Sequence, residues 1–429
     1  MSAKAFALIM SALSLAYQLV LSVVADRQRK KPLPKEVADV FAPERYQKYL
    51  SYVADNKKLG FAMNAVGLIE TALLLLLFPW RGLEDAMRGN VYGIALASVS
   101  LIWLIDAVKD VVAAYIDKFR IEEKYGMNRQ TKRDFAKDQA RSLAVELLLE
   151  LLLTLLIAFM GEHMASWTNG FSVSLPKALG IGVGIAAVIG AFITFASLVS
   201  IWMMKREYTF TPLPDGALRD KIVKLQDGAR KRVKQINVYD ESKKSTSKNA
   251  FLLKFLWLRE FGIADNFINE NAEEELIAVL SHEIGHLKHK KNLLNYLSYA
   301  LFSGAFALVI LIIHRPAPVR AMAAWVRASF ALTVNNYNLL ITVFGAALTP
   351  VIRLISLLNN YRSRMEEYEA DREAVRNGCG EALIATFKRL SSDELINVNP
   401  HPLIEFLEYD HPGMAQRIRA IRKAEGGSI

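Results

Sequence analysis

Seven stretches of this chain stay apolar for roughly 20 residues at a time, and nothing else in the sequence restricts the fold so severely. They begin at Ala5, Phe61, Tyr92, Ser142, Ala178 and Leu294, with a last run from about Val334 to Leu358. Each is long enough to cross a hydrocarbon core of about 30 Å as a helix. Composition agrees: 52% of the 429 residues are hydrophobic and the mean hydropathy is +0.19, above the usual globular share. The small residues and Ala25 that end the first run also suit a cleaved leader. The basic "DRQRKK" that follows, with only Lys4 before the run, fits a cytoplasmic stop better.

Lysine and arginine set the orientation, because positively charged loops stay on the cytoplasmic side. The connection 25–60 carries nine and the connection 116–141 carries eight, and the segment 205–292 is richer still. The alternate connections hold only Arg81 and Arg88, then Lys177, then Arg315, Arg320 and Arg327. With seven crossings this places the N-terminus outside and the segment from about Asn359 onward inside. The net charge of +10 is mostly this topological signal, with a contribution to anionic headgroups, and gives no reason to invoke nucleic acid. The single cysteine, Cys379, excludes an intramolecular disulfide and reads as a packing residue.

On the inner side lies "SHEIGH". In a helix His282 and His286 stand one turn apart on one face, where both imidazoles reach a single ion. Glu283 then points at a metal-bound water and acts as general base, the zincin pattern. The flanks "EEELIAVL" and "LKHKKNLL" supply the helical context, with acids at the start and bases at the end. His289, amid lysines, is read as solvated or at the membrane surface.

A catalytic zinc site needs a third protein ligand. The metzincin continuation would fall at Asn292, which excludes that family. A distant ligand must return to the same side of the membrane, and the chain does so after two further crossings at "NNYRSRMEEYEADREAV". Spacing does not choose among Glu366, Glu367, Glu369 and Asp371, although Glu367 and Asp371 lie one turn apart, as a ligand and its supporting partner would.

"SHEIGH" followed two spans later by "SRMEEYEAD" resembles the zinc-dependent (type I) CAAX prenyl protease family. The likeness extends in order through "PERYQKYLSYVADNKKLG", "FRIEEKYGMNRQT", "FTPLPDGALRDKI", "STSKNAF" and "HPLIEFLEYDHPGMAQRIRAI". The resemblance implies Glu367 as the third ligand to one Zn²⁺ per chain, with Asp371 orienting His286 or a neighbouring group. It implies that Asn249, Ala250 and Phe251 begin an edge strand that holds substrate by backbone pairing. It places His411 beside the developing oxyanion, before Pro412, with Arg417 following as a supporting residue. Lys254 stands where the family carries glycine, "REFGIADNFI" departs from the usual strand ending, and Gly413 replaces a second proline.

The expected architecture is an all-α polytopic membrane protein, seven transmembrane helices around a chamber, with a cytosolic zincin-like α+β metalloprotease region. Residues 1–204 form a membrane region of five helices and two basic loops. Residues 205–429 form the protease region with two more spans. Glu70, Asp106, Lys109, Asp110, Glu146 and Glu150 lie within apolar spans and are expected to face protein or water. Lys109 and Asp110 also suit snorkelling at a span end, with Asp106 pairing to Lys109. The implied function is an integral-membrane zinc endopeptidase acting near the C-terminus of lipidated or membrane-bound proteins. Its partners are a peptide or protein substrate and membrane lipids. An HtpX-like quality-control protease shares the chemistry, and a seven-span transporter or receptor leaves the ligands' shared side unexplained.

Overall fold

The computed structural model describes residues 1–167, 173–227, 232–288 and 293–426; His289 lies outside them. The N-terminal half is helical: α1 (Ala3–Arg29), α2 (Pro43–Leu76), α3 (Trp80–Ala86), α4 (Val91–Ile116), α5 (Glu123–Tyr125), α6 (Lys132–Trp167) and α7 (Leu175–Glu207). A π-helical turn, Asp117–Glu122, joins α4 to α5 without a break in direction.

Beyond α7 the chain becomes mixed. Helices α8 (Ala217–Leu225), α9 (Asp265–Glu270) and α10 (Glu273–Lys288) accompany a four-stranded sheet of β1 (Phe210–Pro212), β2 (Gln235–Tyr239), β3 (Ala250–Phe255) and β4 (Leu258–Ala264), in the order β1-β2-β4-β3. Helices α11 (Leu293–His314), α12 (Ala317–Phe330), α13 (Tyr337–Arg376), α14 (Gly380–Asp393), α15 (Pro402–Glu408) and α16 (Met414–Gly426) complete it.

Six described helices are individually long and apolar enough to cross a membrane: α1, α2, α4 with its continuation, α6, α7 and α13. The seventh candidate is bent rather than straight. The end of α11, Ser303–His314, and α12, Ala317–Phe330, meet at 78° about Pro316, whose ring and missing N–H interrupt a helix.

The last run is longer than its apolar part suggests. "NNYRSRMEEYEADREAVR" contains neither glycine nor proline, so α13 does not stop near Leu358 but continues to Arg376. This single rod of 40 residues is about 60 Å long and carries the ligand candidates at its polar end. Its start is fixed by polar groups. The Asn336 side chain accepts from the backbone N–H groups of Asn338 and Leu339 and donates to Ser98 Oγ at 3.0 Å. The Asn338 amide reaches the Ala95 carbonyl at 2.8 Å.

Intramembrane charges cluster on an open cavity of about 590 Å³ that α1, α2, α4 and α13 line and into which Glu70, Asp106, Lys109 and Asp110 open. Lys109 bridges the helices, 3.0 Å from Glu70 Oε2 on α2 and paired with Asp106 on its own helix. Glu150 stands close enough to Glu146 and Asp106 to feel both charges. The Asp106–Lys109 pair is therefore part of a network that joins α2 and α4 in mid-span.

The two basic connections of the membrane region lie against the protease region. Val37, Val40, Phe41, Tyr49, Ile121 and Tyr125 share one hydrophobic core with Leu383, Ile384, Val398, Ile418 and Ile421. Ion pairs close its edge: Glu36 with Arg419 at 3.2 Å and Asp39 with Lys388 at 2.7 Å. A second core, between the sheet and α10, contains Ile236, Phe261, Ile263, Leu276, Leu280 and Ile284.

If Lys109 neutralises the cavity, Lys109→Met leaves Glu70 and Asp106 facing each other and lowers the detergent melting temperature by several degrees. Glu70→Gln added to it recovers part of the loss. An additive double-mutant cycle would show that the two side chains do not interact.

Candidate active site

Helix α10 is buried on most of its circumference, with Leu276, Leu280 and Ile284 toward the sheet and Ser281, His282 and Gly285 toward α13. Gly285 decides how close the two helices come. A Cβ there would stand 2.6 Å from Ala370 Cα, so only glycine permits this crossing. The helices run antiparallel, Ser281 accepting from Asn377 at one end and Gly285 meeting Ala370 further along.

This approach brings Glu367 between the two imidazoles. His282 Nε2 is 3.4 Å from Glu367 Oε2 and His286 Nε2 is 3.3 Å from Glu367 Oε1. Donor atoms held about 2.0–2.2 Å from a tetrahedral ion stand roughly 3.3–3.6 Å apart, so the observed spacing is that of a ligand set. All three donors lie within 4.8 Å of one another, the one such cluster among the described residues. Glu367 Oε2 is buried and accepts no hydrogen bond among those residues. A buried carboxylate oxygen that accepts no hydrogen bond is costly; its neighbours are His282 Nε2 at 3.4 Å and Arg417 Nη1 at 3.3 Å, and two imidazoles converging on one carboxylate fit a metal ion.

Asp371 sits one turn beyond Glu367. Its Oδ1 is 2.9 Å from His282 Nδ1, so the group it orients is His282 rather than His286. The antiparallel crossing explains this: moving C-terminally along α13 leads back toward the N-terminal histidine of α10. Arg417, buried on α16, grips Asp371 with Nε at 2.9 Å and Nη2 at 2.6 Å, and its Nη1 stands 3.3 Å from Glu367 Oε2. Its guanidinium lies over the Phe387 ring at 4.2 Å.

Glu283 follows His282 directly and lies near enough to His282, His286 and Glu367 for their charges to act on it. Withdrawal from water pushes its carboxyl pKa up, against the pull of the two histidines. Glu366 pairs with Arg362 and Glu369 with Arg372, so neither joins the cluster. His411 approaches from the loop before α16, its Nε2 3.5 Å from Glu367 Oε1 and Nδ1 2.8 Å from Asp410. With 58% of its side chain exposed it is open to an incoming molecule. Pro412 and Gly413 follow, and a Cβ at Gly413 would meet Glu405 at 3.0 Å and Pro400 at 3.2 Å.

Asn249 precedes β3, its carbonyl accepting from Ala264 N at 2.9 Å. Ala250 and Phe251 open that strand, the outermost of the sheet. Phe251 pairs with Gly262 across the ladder and its ring fills the space a Cβ there would occupy. The hairpin survives the departure at position 254: Lys254 pairs with Arg259 and the turn is made by Leu256, at φ 50°, and Trp257. Because Asn249 and Ala264 form a hydrogen-bonded pair, alternation turns the backbone groups of Ala250, Leu252 and Lys254 outward on the open edge.

Three contributors escaped the motif reading. Gly285 lies inside the histidine motif, where its small size was the available sign. Arg364 donates to the carbonyls of Glu405 and Tyr409 and so holds the end of α15 just before His411; an arginine one turn ahead of a ligand was the only hint. Phe387 under Arg417 had no signal beyond an apolar position on α14.

The family described as CAAX prenyl protease N-terminal, five membrane helices, matches residues 6–175, and peptidase family M48 matches residues 212–425. The "CAAX prenyl protease 1 homolog" of Oryza sativa subsp. japonica is 25% identical over 95% of this chain and 95% of its own length. The Arabidopsis thaliana protein of the same description is 27% identical over 91% of this chain and 90% of its own. The crystal structure of S. mikatae Ste24p is similar with a TM-score of 0.77 at 21% identity, covering 98% of this chain and 99% of that one. At that identity the likeness is one of fold.

Gly285→Ala is expected to force α10 from α13 and to lower both melting temperature and bound metal per chain. Arg417→Met, which frees Asp371, should weaken metal affinity about ten- to hundredfold in a chelator competition. Unchanged affinity would show that Arg417 does not act through the histidine.

Proposed function

The chain belongs to peptidase family M48 and is an integral-membrane metalloprotease, and from that premise we propose that it hydrolyses peptide bonds near the C-terminus of prenylated, CAAX-type or other membrane-associated proteins with one Zn²⁺. The observation that carries the chemistry is the convergence of His282, His286 and Glu367 beside Glu283. Two imidazoles and one carboxylate suit a catalytic zinc, which takes water as its fourth ligand. The substrate class rests on the relatives, which carry the name CAAX prenyl protease over most of this chain's length.

A zinc ion held by His282, His286 and Glu367 would lower the pKa of a water and polarise the scissile carbonyl. Glu283 would accept a proton from the attacking water and pass it to the leaving amine nitrogen. His411, from the open side, donates a hydrogen bond to the carbonyl oxygen as negative charge develops there. Asp371 holds His282 by Nδ1, which leaves Nε2 for the metal, and Arg417 fixes Asp371. The peptide adds as a further strand along β3, pairing with the outward groups of Ala250, Leu252 and Lys254, with Asn249 and Phe251 holding the strand in place.

The division into a membrane region, 1–204, and a protease region, 205–429, belongs to the same reading. So does the orientation, with the N-terminus outside and the site cytosolic, which rests on the basic connections. The five-helix N-terminal match favours this function over a quality-control protease of the HtpX type.

The test combines metal analysis of detergent-purified protein with cleavage of a farnesylated CAAX peptide. Glu283→Gln should keep its zinc and lose turnover about a hundred- to ten-thousandfold. His282→Ala, His286→Ala and Glu367→Ala should lose both. Equal zinc loss in all four contradicts these roles, and degradation of casein without cleavage of the farnesylated peptide overturns the substrate assignment.

A further inference from the structure

The segment "EKYGMNRQT" of the membrane region has no part in the chemistry above, yet it touches the chain that leads into β3. Between Tyr239 and Ala250 the sequence "DESKKSTSKN" is polar and forms only one short 3₁₀ turn, Glu241–Lys243. Such a stretch has little to hold it internally. Its internal backbone bonds are confined to that turn, from Lys243, Lys244 and Ser245 back to Asp240 and Glu241; past it, partners from outside take up the backbone of 244–248.

From the membrane region, Arg129 N donates to the Lys244 carbonyl at 3.0 Å and Thr246 N donates to the Met127 carbonyl at 3.2 Å. Between them Asn128 and Ser245 face each other as an antiparallel bridge. The Lys244 ammonium is anchored beside it, 2.6 Å from Asp138 on α6 and 2.9 Å from Glu207 at the end of α7. On the other side, Glu394 accepts from Lys248 N at 2.9 Å and from Ser247 Oγ at 3.0 Å. The next residue, Asn249, is the first paired with β4.

Gly126 makes the contact available. At φ +76° it ends α5 in the left-handed conformation, with Met127 N returning to the Glu122 carbonyl. The chain thus reverses and presents the Met127 carbonyl and the Arg129 N–H to the connection. No neighbour lies within 4 Å of a Cβ at Gly126, so the glycine serves the backbone turn and not packing.

We propose that Gly126–Thr131 is a positioning element for the substrate strand: by pairing with Lys244–Thr246 it holds the entry to β3 so that the strand's open edge is preformed for a peptide. Met127 and Arg129, through their backbones, and Lys244, through its side chain, are positioning residues. Peptide affinity of the protease region then depends on a loop of the membrane region. The inference rests on the reading that substrate adds to β3.

The experiment uses the full chain in detergent, a fluorogenic peptide substrate and zinc analysis. Arg129→Pro removes one donor of the pair and should raise KM roughly three- to tenfold, with kcat and zinc content unchanged. Asn128→Cys with Ser245→Cys, in a Cys379→Ser background, tests the same contact without removing it. Residues opposite each other at a non-hydrogen-bonded position have Cα atoms about 4.5 Å apart, within disulfide range. The oxidised pair should form readily and keep the wild-type KM. Failure of the disulfide to form, a raised KM in the locked form, or an Arg129→Pro effect confined to kcat or zinc overturns the proposal.

Leu252→Pro separates it from its premise, since it removes an outward donor of β3 and spares the β4 ladder. If Leu252→Pro leaves KM unchanged, the strand-addition reading fails. If Leu252→Pro raises KM and Arg129→Pro does not, the positioning role alone fails.

Discussion

Everything catalytic in this chain depends on how closely α10 lies against α13. At Gly285 the backbone of one helix meets Ala370 of the other with no room for a methyl group. The result is a carboxylate inserted between two imidazoles that are more than 80 residues distant in sequence. Interiors are packed too densely for such a crossing to yield gradually. A small displacement therefore opens the ligand set as a whole.

The charges around the cluster complement that packing. Arg417 is a permanent cation in a dry place, and Asp371 compensates it in a two-point contact. Glu367 is a second buried carboxylate beside the same single arginine, 3.3 Å from its Nη1, and one of its oxygens accepts no hydrogen bond among the described residues. A divalent cation is the ion that such an arrangement accommodates. Asp371 thus does two things: it balances Arg417 and it fixes the tautomer of His282, leaving Nε2 free as a ligand.

The membrane and protease regions are not independent bodies joined by a linker. The basic connections supply Phe41, Tyr49, Ile121 and Tyr125 to a core completed by α14 and α16. The latter helix also brings in Arg417. The long α13 ties the two in a second way, because its start is capped and bonded to α4 through Asn336 and Asn338 while its end carries Glu367. A rod anchored at both ends transmits the geometry of the membrane helices to the ligand set.

Patterns repeated along the chain were legible without coordinates. Runs of apolar residues marked the spans, charge asymmetry marked their connections, and a four-residue interval put His282 and His286 on one helical face. Resemblance of short motifs pointed to Glu367 among four neighbouring carboxylates that periodicity could not separate. Which imidazole Asp371 serves, how α13 continues past its apolar part, the bend at Pro316, and the bonds from Arg364 and from the Met127–Arg129 loop emerged only on folding. The physical reason is one of range: periodicity and helix propensity are properties of adjacent residues, whereas the partner of a carboxylate or a free carbonyl is set by the approach of segments far apart in the chain.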